Sequence, residues 1–165
     1  MAFVVVRALT YATLFIGVVL VFLPRRMLLW SGVSIPPAIG VAQLAGVLAG
    51  SLGAVLALWC IAAFALFGRG TPAPFDPPRR LVIGGPYRFV RNPMYLGAAI
   101  ALGGAALFYQ SGTLAAYAGA FLLVTHGFVR WYEEPALRAT FGGDYDRYCF
   151  RVRRWWPKLR EMPPQ

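Results

Sequence analysis

The strongest constraint on this chain is a succession of apolar runs of membrane-spanning length. The first, residues 3–23, is interrupted only by Arg7 and closes at Pro24, Arg25 and Arg26. At about 1.5 Å per residue such a run crosses a hydrocarbon layer of about 30 Å. A cleaved signal peptide needs a small-x-small site after its apolar stretch, and Arg25-Arg26 stands there instead, so an uncleaved span is expected. The second run, 37–67, is long enough for a tilted helix and carries Gly46 and Gly50, spaced as the small residues that let helices approach closely in lipid. Equally, glycine is simply common in membrane helices. Runs at 94–109 and 113–132 flank a turn at Gln110, Ser111 and Gly112 and predict a tight helical hairpin.

Charge sets the orientation. Sixteen basic residues against six acidic ones give a formal charge of +10, and they sit beside apolar runs, so lipid headgroups rather than nucleic acid are the expected counter-charge. A hydrophobic content of 59% excludes a disordered tail class. Segment 24–36 carries two basic residues, the 68–92 loop five and the tail from Arg130 onward eight. With four spans, the positive-inside rule then puts the loop, the tail and both termini on the cytoplasmic face. Cys60, Cys149 and the single His126 support neither a disulfide framework nor a metal site.

The expected fold is therefore all-α: one domain over 1–165, an integral membrane protein with four transmembrane helices, a structured cytoplasmic loop and an amphipathic C-terminal helix. Five prolines and four glycines make 68–92 a loop. In the tail, 133–165, Pro135 reads as a helix start and Gly142-Gly143 as a stop. Tyr145, Tyr148, Cys149, Val152 and Trp156 recur at helical spacing, a face suited to the headgroup layer. Tyr145, Tyr148 and Arg151 read equally well as a lid and as a passive surface helix. Trp131, Trp155 and Trp156 read as interface anchors, and His126 as an interhelical hydrogen-bonding residue or part of an acceptor channel.

The hairpin makes a geometric prediction. Arg91 and Asn92 precede the third span and Glu133-Glu134 follow the fourth, so an ascent and descent of similar length bring these ends to one depth, about a helix diameter apart. Asn92-Pro93 is a helix start, with the Asn side chain expected to cap free backbone donors. A cation and a helix N-terminus suit a carboxylate, and the two glutamates suit a cationic or hydroxyl group, so the site fits a zwitterion. The alternative makes Arg91 a membrane anchor and the glutamates solvated helix-end charges.

The stretch Gly85-Pro86-Tyr87-Arg88-Phe89-Val90-Arg91-Asn92-Pro93-Met94-Tyr95-Leu96-Gly97, the apolar hairpin and Glu133-Glu134 resemble the isoprenylcysteine carboxyl methyltransferase and phospholipid methyltransferase group, whose signature is Arg-His-Pro-x-Tyr, a hairpin and Glu-Glu. Similarity extends to Gly70-Thr71-Pro72 through Leu81-Val82 and to Phe141-Gly142-Gly143-Asp144-Tyr145 through Trp155-Trp156-Pro157. The resemblance implies methyl transfer from S-adenosyl-L-methionine, without a metal, to a lipophilic acceptor entering from the bilayer. It implies cofactor contacts from Leu81, Val82, Tyr87, Asn92, Pro93, Met94, Tyr95 and Glu133, with Arg91, Arg130, Glu133 and Glu134 as the charged working residues. The departure is Asn92, where the group usually has His, which removes a titrating group but keeps a donor and an acceptor. For a carboxylate acceptor Arg130 is the expected anchor; for a phospholipid amine Glu133 or Glu134 is the expected base. A non-enzymatic transporter or assembly subunit is the rival reading, and it predicts ionisable groups deep in the spans, where only His126 lies.

Overall fold

The computed structural model describes residues 10, 13, 15–64, 66 and 80–157. Among these the secondary structure is helical throughout, with no strand. Helix α1, Leu23–Trp30, continues a π-helical stretch, Ile16–Phe22; α2 is Val41–Ala63, α3 Pro93–Tyr109, α4 Gly112–Phe128, α5 Glu134–Phe141 and α6 Gly143–Arg151. A second π-helical stretch, Val129–Glu133, joins α4 to α5, so Gly112–Phe141 is one continuous helix of 30 residues. Among the described residues two helices, Val41–Ala63 and Gly112–Phe141, are long and apolar enough to cross a membrane, and α3 is a shorter apolar helix.

Several boundaries differ from the sequence expectation. Most of the first run's N-terminal half, the approach at 70–72 and residues 158–165 lie outside the described residues. The first helix does not close at Pro24 but runs on to Trp30. Pro24 occupies the first turn of α1, where its missing N–H breaks the ladder least, and the wide π turn before it accommodates the ring. The second helix begins at Val41 rather than at 37. Gly40 caps it, its N–H donating to Gln43 Oε1 at 3.0 Å, while Pro36 and Pro37 stay in the non-helical segment before it.

α2 and α3 pack on a glycine seam. A Cβ on Gly46 would lie 2.6 Å from Phe108 N, and one on Gly53 would lie 2.5 Å from Ala101 N. From the other side, Cβ atoms on Gly97 and Gly104 would strike the backbone of Gly53 and Gly50. The spacing is seven residues on each helix, and the order of contacts makes the pair antiparallel. Gly50 lends the seam its backbone only, since a Cβ there meets nothing within 4 Å. The expected Gly46/Gly50 pair is thus replaced by Gly46/Gly53.

The α3–α4 hairpin turns as the sequence predicts. Gln110 adopts the left-handed conformation (φ 51°), and the Ser111 hydroxyl accepts from Leu114 N at 3.3 Å as the N-cap of α4. Ala98, Leu102 and Phe121 bury against Phe15, Val19 and Tyr117 of the neighbouring helices. Tyr117 donates to Val19 O at 3.0 Å, tying α4 to the π-helical entry of α1.

The tail does not lie free with its apolar face outward. Tyr145, Tyr148 and Val152 of α6 and its exit are buried against Leu81, Leu137 and Phe141. The face read as a headgroup-facing surface is therefore the one the protein itself covers.

Candidate functional site

The site forms where the start of α3, the end of the long α4–α5 helix and the chain after α6 converge. The approach to α3 is a 3-10 turn, Gly85–Arg88, entered through Gly85 at φ 60°, a conformation that favours glycine. Tyr87 packs edge-on against Phe64, with ring centroids 5.3 Å apart, beside buried Cys60, Ala63 and Val82. Tyr148 Oη donates to Tyr87 O at 2.6 Å. After α6 the chain turns extended at Val152 and runs parallel to 90–92. Arg91 N donates to Arg153 O at 2.9 Å, and Asn92 Nδ2 donates to Arg154 O at 3.3 Å. The Asn92 side chain therefore holds the tail and makes no helix-capping bond, contrary to the sequence expectation; buried Pro93 supplies the helix start.

Arg91 and the glutamates meet as the hairpin geometry predicts. Arg91 Nη1 lies 3.2 Å from Glu134 Oε1, with side chains only 14% and 10% exposed, which excludes the solvated-anchor alternative. Arg154 closes the other side, Nε to Glu134 Oε1 at 2.7 Å and Nη2 to Oε2 at 2.8 Å, a bidentate pair. Arg91 Nη1 also donates to Cys149 Sγ at 2.6 Å, and its Nε is buried with no hydrogen-bond partner among the described residues.

The adjacent carboxylates are thereby set apart. Burial alone would raise the Glu134 carboxyl, but the Arg154 hydrogen bonds and the charges of Arg91 and Arg154 outweigh it and hold the group below the usual range. Glu133 faces the other way and accepts from Tyr95 Oη at 3.1 Å. Its carboxyl is raised, chiefly by burial, with the Tyr95 hydrogen bond opposing and the Glu134 charge adding to the rise. The π-helical turn ending at Glu133 sits where the two side chains diverge, consistent with the frequent placement of π turns at functional sites.

Glu133 opens into a small cleft lined also by Phe64, Tyr87, Arg91, Asn92, Met94 and Tyr95. It offers aromatic faces, a carboxylate, a carboxamide and a guanidinium with a spare buried donor, a set suited to a cofactor that is both cationic and anionic. Among the described residues no cluster of three or more His, Cys, Asp or Glu could hold a metal ion.

Of the sequence-predicted residues, Tyr87, Arg91, Asn92, Met94, Tyr95 and Glu133 line this cleft, and Glu134 is paired to Arg91 beside it. Pro93 is buried at the helix start, Val82 packs against Tyr87, and Leu81 packs against the tail cluster. Arg130 is not brought in: it is exposed and makes no polar contact to the cluster. His126 accepts from Trp155 Nε1 at 3.0 Å and stacks on its ring, so Trp155 is a tail fastener, whereas Trp131 and Trp156 stay exposed. Arg154 and Cys149 were not anticipated. In a tail with so many arginines, nothing in the spacing separates the one that reaches Glu134.

An all-helical scaffold with helices of spanning length and a charged, aromatic-lined cleft at one end marks a small protein of the membrane-associated class. The comparison with known families specifies it. The phospholipid methyltransferase family model matches residues 41–144, from the start of α2 into α6, and the chain belongs to that family of lipid-directed methyltransferases. No curated protein and no solved structure matches the chain.

Proposed function

We propose that this protein transfers a methyl group from S-adenosyl-L-methionine to the headgroup amine of a phospholipid at the cytoplasmic membrane face, from a four-span scaffold with both termini cytoplasmic. The observation that carries the reading is the division of labour between adjacent carboxylates: Glu134 is neutralised by two guanidiniums, while Glu133 is half-buried, raised and turned into the cleft. An ammonium acceptor must lose a proton before it can attack, and a carboxylate with a raised pKa is suited to take it.

The donor set fits the cofactor. The unpartnered Arg91 Nε suits its carboxylate, Glu133 and Asn92 suit hydroxyl or amino groups, and Tyr87, Phe64 and Tyr95 offer ring faces to a sulfonium. Leu81, Val82, Pro93 and Met94 complete its surroundings in this reading. When bound, the cofactor supplies a methyl group already activated on sulfur. The chain's own tasks are to orient the acceptor and exclude water. The cavity itself is only about 20 Å³, far below the roughly 300–1,000 Å³ of cofactor-sized sites, so in this reading the side chains around it move apart when the ligand enters. The carboxylate-acceptor arrangement, with Arg130 as anchor, has no matching contact.

The test has two stages. S-adenosylhomocysteine binding is measured on detergent-purified protein, and labelled methyl donor is then supplied with phosphatidylethanolamine or a prenylcysteine. Label in the phospholipid is expected, with Glu133→Gln slowing transfer by roughly 10²–10⁴-fold. Arg91→Ala and Glu133→Ala are expected to lose homocysteine-analogue binding. Binding retained in both discards this pocket, and label in the prenylcysteine alone discards the amine acceptor.

A further inference from the structure

A second cleft, of about 740 Å³, opens on the outer side of α6, away from Glu133. Four arginines line it from separate stretches of chain: Arg80, Arg88 at the end of the 3-10 turn, and Arg147 and Arg151 one turn apart on α6. Among the described residues its wall holds one carboxylate, Asp144, and this is paired to Arg147. Like charges four apart on a helix repel, and here two more guanidiniums face the same space, so among the described residues the wall carries an excess of positive charge. Arg88 is steadied over the Phe89 ring, 4.6 Å from its centroid, which fixes a donor that would otherwise swing in solvent.

The floor is apolar, with Phe141 and the half-exposed Ile83. Exposed Phe89 and Trp156 lie on neighbouring segments, the aromatic dressing of a headgroup layer. An arginine rim over an apolar floor suits a phosphate carried on a glycerol and acyl chain better than a bare ion. Arginine forks bind phosphate oxygens in pairs, and each basic group near an anionic surface adds attraction.

We propose that this cleft binds the phosphate of an anionic phospholipid headgroup, at a site distinct from the Glu133 cleft but bordering the methyl-transfer pocket at Leu81. Tyr148 links the two: it lines the anion cleft, and its hydroxyl holds the Tyr87 carbonyl.

The test uses the full chain in detergent with dioctanoyl phosphatidylglycerol, dioctanoyl phosphatidylcholine, glycerol 3-phosphate and inorganic phosphate as probes, followed by calorimetry. The glycerol lipid is expected to bind roughly tenfold or more tighter than the choline lipid, and to weaken as salt is raised. Arg80→Gln/Arg88→Gln is expected to weaken it roughly tenfold or more, the value of one to two charge-assisted hydrogen bonds. S-adenosylhomocysteine binding is expected to be unchanged in that variant, which separates failure here from failure of the methyl-transfer reading. Inorganic phosphate or glycerol 3-phosphate binding as tightly as the lipid overturns the lipid source while keeping the anion site. Equal binding of both lipids, or binding indifferent to the double substitution, overturns the site.

Discussion

Glu133 and Glu134 are neighbours in sequence, yet their amide substitutions are expected to move stability in opposite directions. Glu134→Gln removes the anion from between Arg91 and Arg154 and leaves two guanidiniums facing each other, with side chains 14% and 24% exposed. Removing one partner of a fully buried pair costs about 3–5 kcal/mol; with this partial exposure the expected loss is about 2–3 kcal/mol. Glu133→Gln keeps an acceptor for Tyr95 and discharges a carboxylate that burial disfavours, so it is expected to be neutral or to stabilise by up to about 1 kcal/mol. Acid should reveal the same asymmetry. Glu134 is depressed in the folded state, so its contribution is present above the unfolded value of about 4.3 and is lost as pH falls through the folded value. Glu133 is raised, so its charge costs stability above its folded pKa, and protonation on acidification relieves that cost. Thermal unfolding in detergent at pH 7 and pH 4 reads both effects. A double-mutant cycle of Glu134→Gln with Arg154→Gln should return a coupling of about 2 kcal/mol. Equal destabilisation by the two single variants, or a coupling under about 0.5 kcal/mol, would refute the separation of roles.

Three further outcomes follow from the same structure. Gly53→Ala and Gly46→Ala, whose new Cβ atoms would meet backbone on α3, should each destabilise by about 2 kcal/mol, whereas Gly50→Ala should be neutral or stabilise by up to about 1 kcal/mol, read as melting shifts. Tyr95→Phe removes the hydrogen bond that opposes the raised Glu133, so the acid limb of the methyl-transfer pH profile should move to higher pH; an unmoved limb would show that Glu133 is not the titrating base. Trp155→Phe loses the bond to His126 Nδ1 and should cost about 0.5–1.5 kcal/mol while speeding protease cleavage in the tail.

Much of the bundle was legible in the sequence because hydropathy and turn chemistry are local. The runs at 94–109 and 113–132, with Gln110-Ser111-Gly112 between them, specify the hairpin, and the hairpin alone brings Arg91 to the glutamates. Helix ends were less legible: Pro24 looks like a terminator, but at a first-turn position after a wide turn it is tolerated. The partner of the tail's aromatic face was misread because amphipathicity states that a face is apolar, not what covers it. Tyr145, Tyr148 and Val152 meet Leu81 and Phe141, a contact made across more than sixty positions for Leu81. The same long-range closure delivers Arg154 to Glu134 and diverts Asn92 from capping, and neither has a signature in spacing.

The unbroken Gly112–Phe141 rod, long and apolar enough to cross a membrane, would tie the proposed chemistry to the thickness of the lipid around it. In the proposed spanning placement its turn at Ser111 sits near one leaflet and Glu133 some twenty residues along, about 33 Å away, close to the hydrocarbon span of about 30 Å. In that placement a thinner bilayer is expected to lift the carboxylates clear of the headgroups and a thicker one to draw them under, so turnover is expected to vary with acyl-chain length.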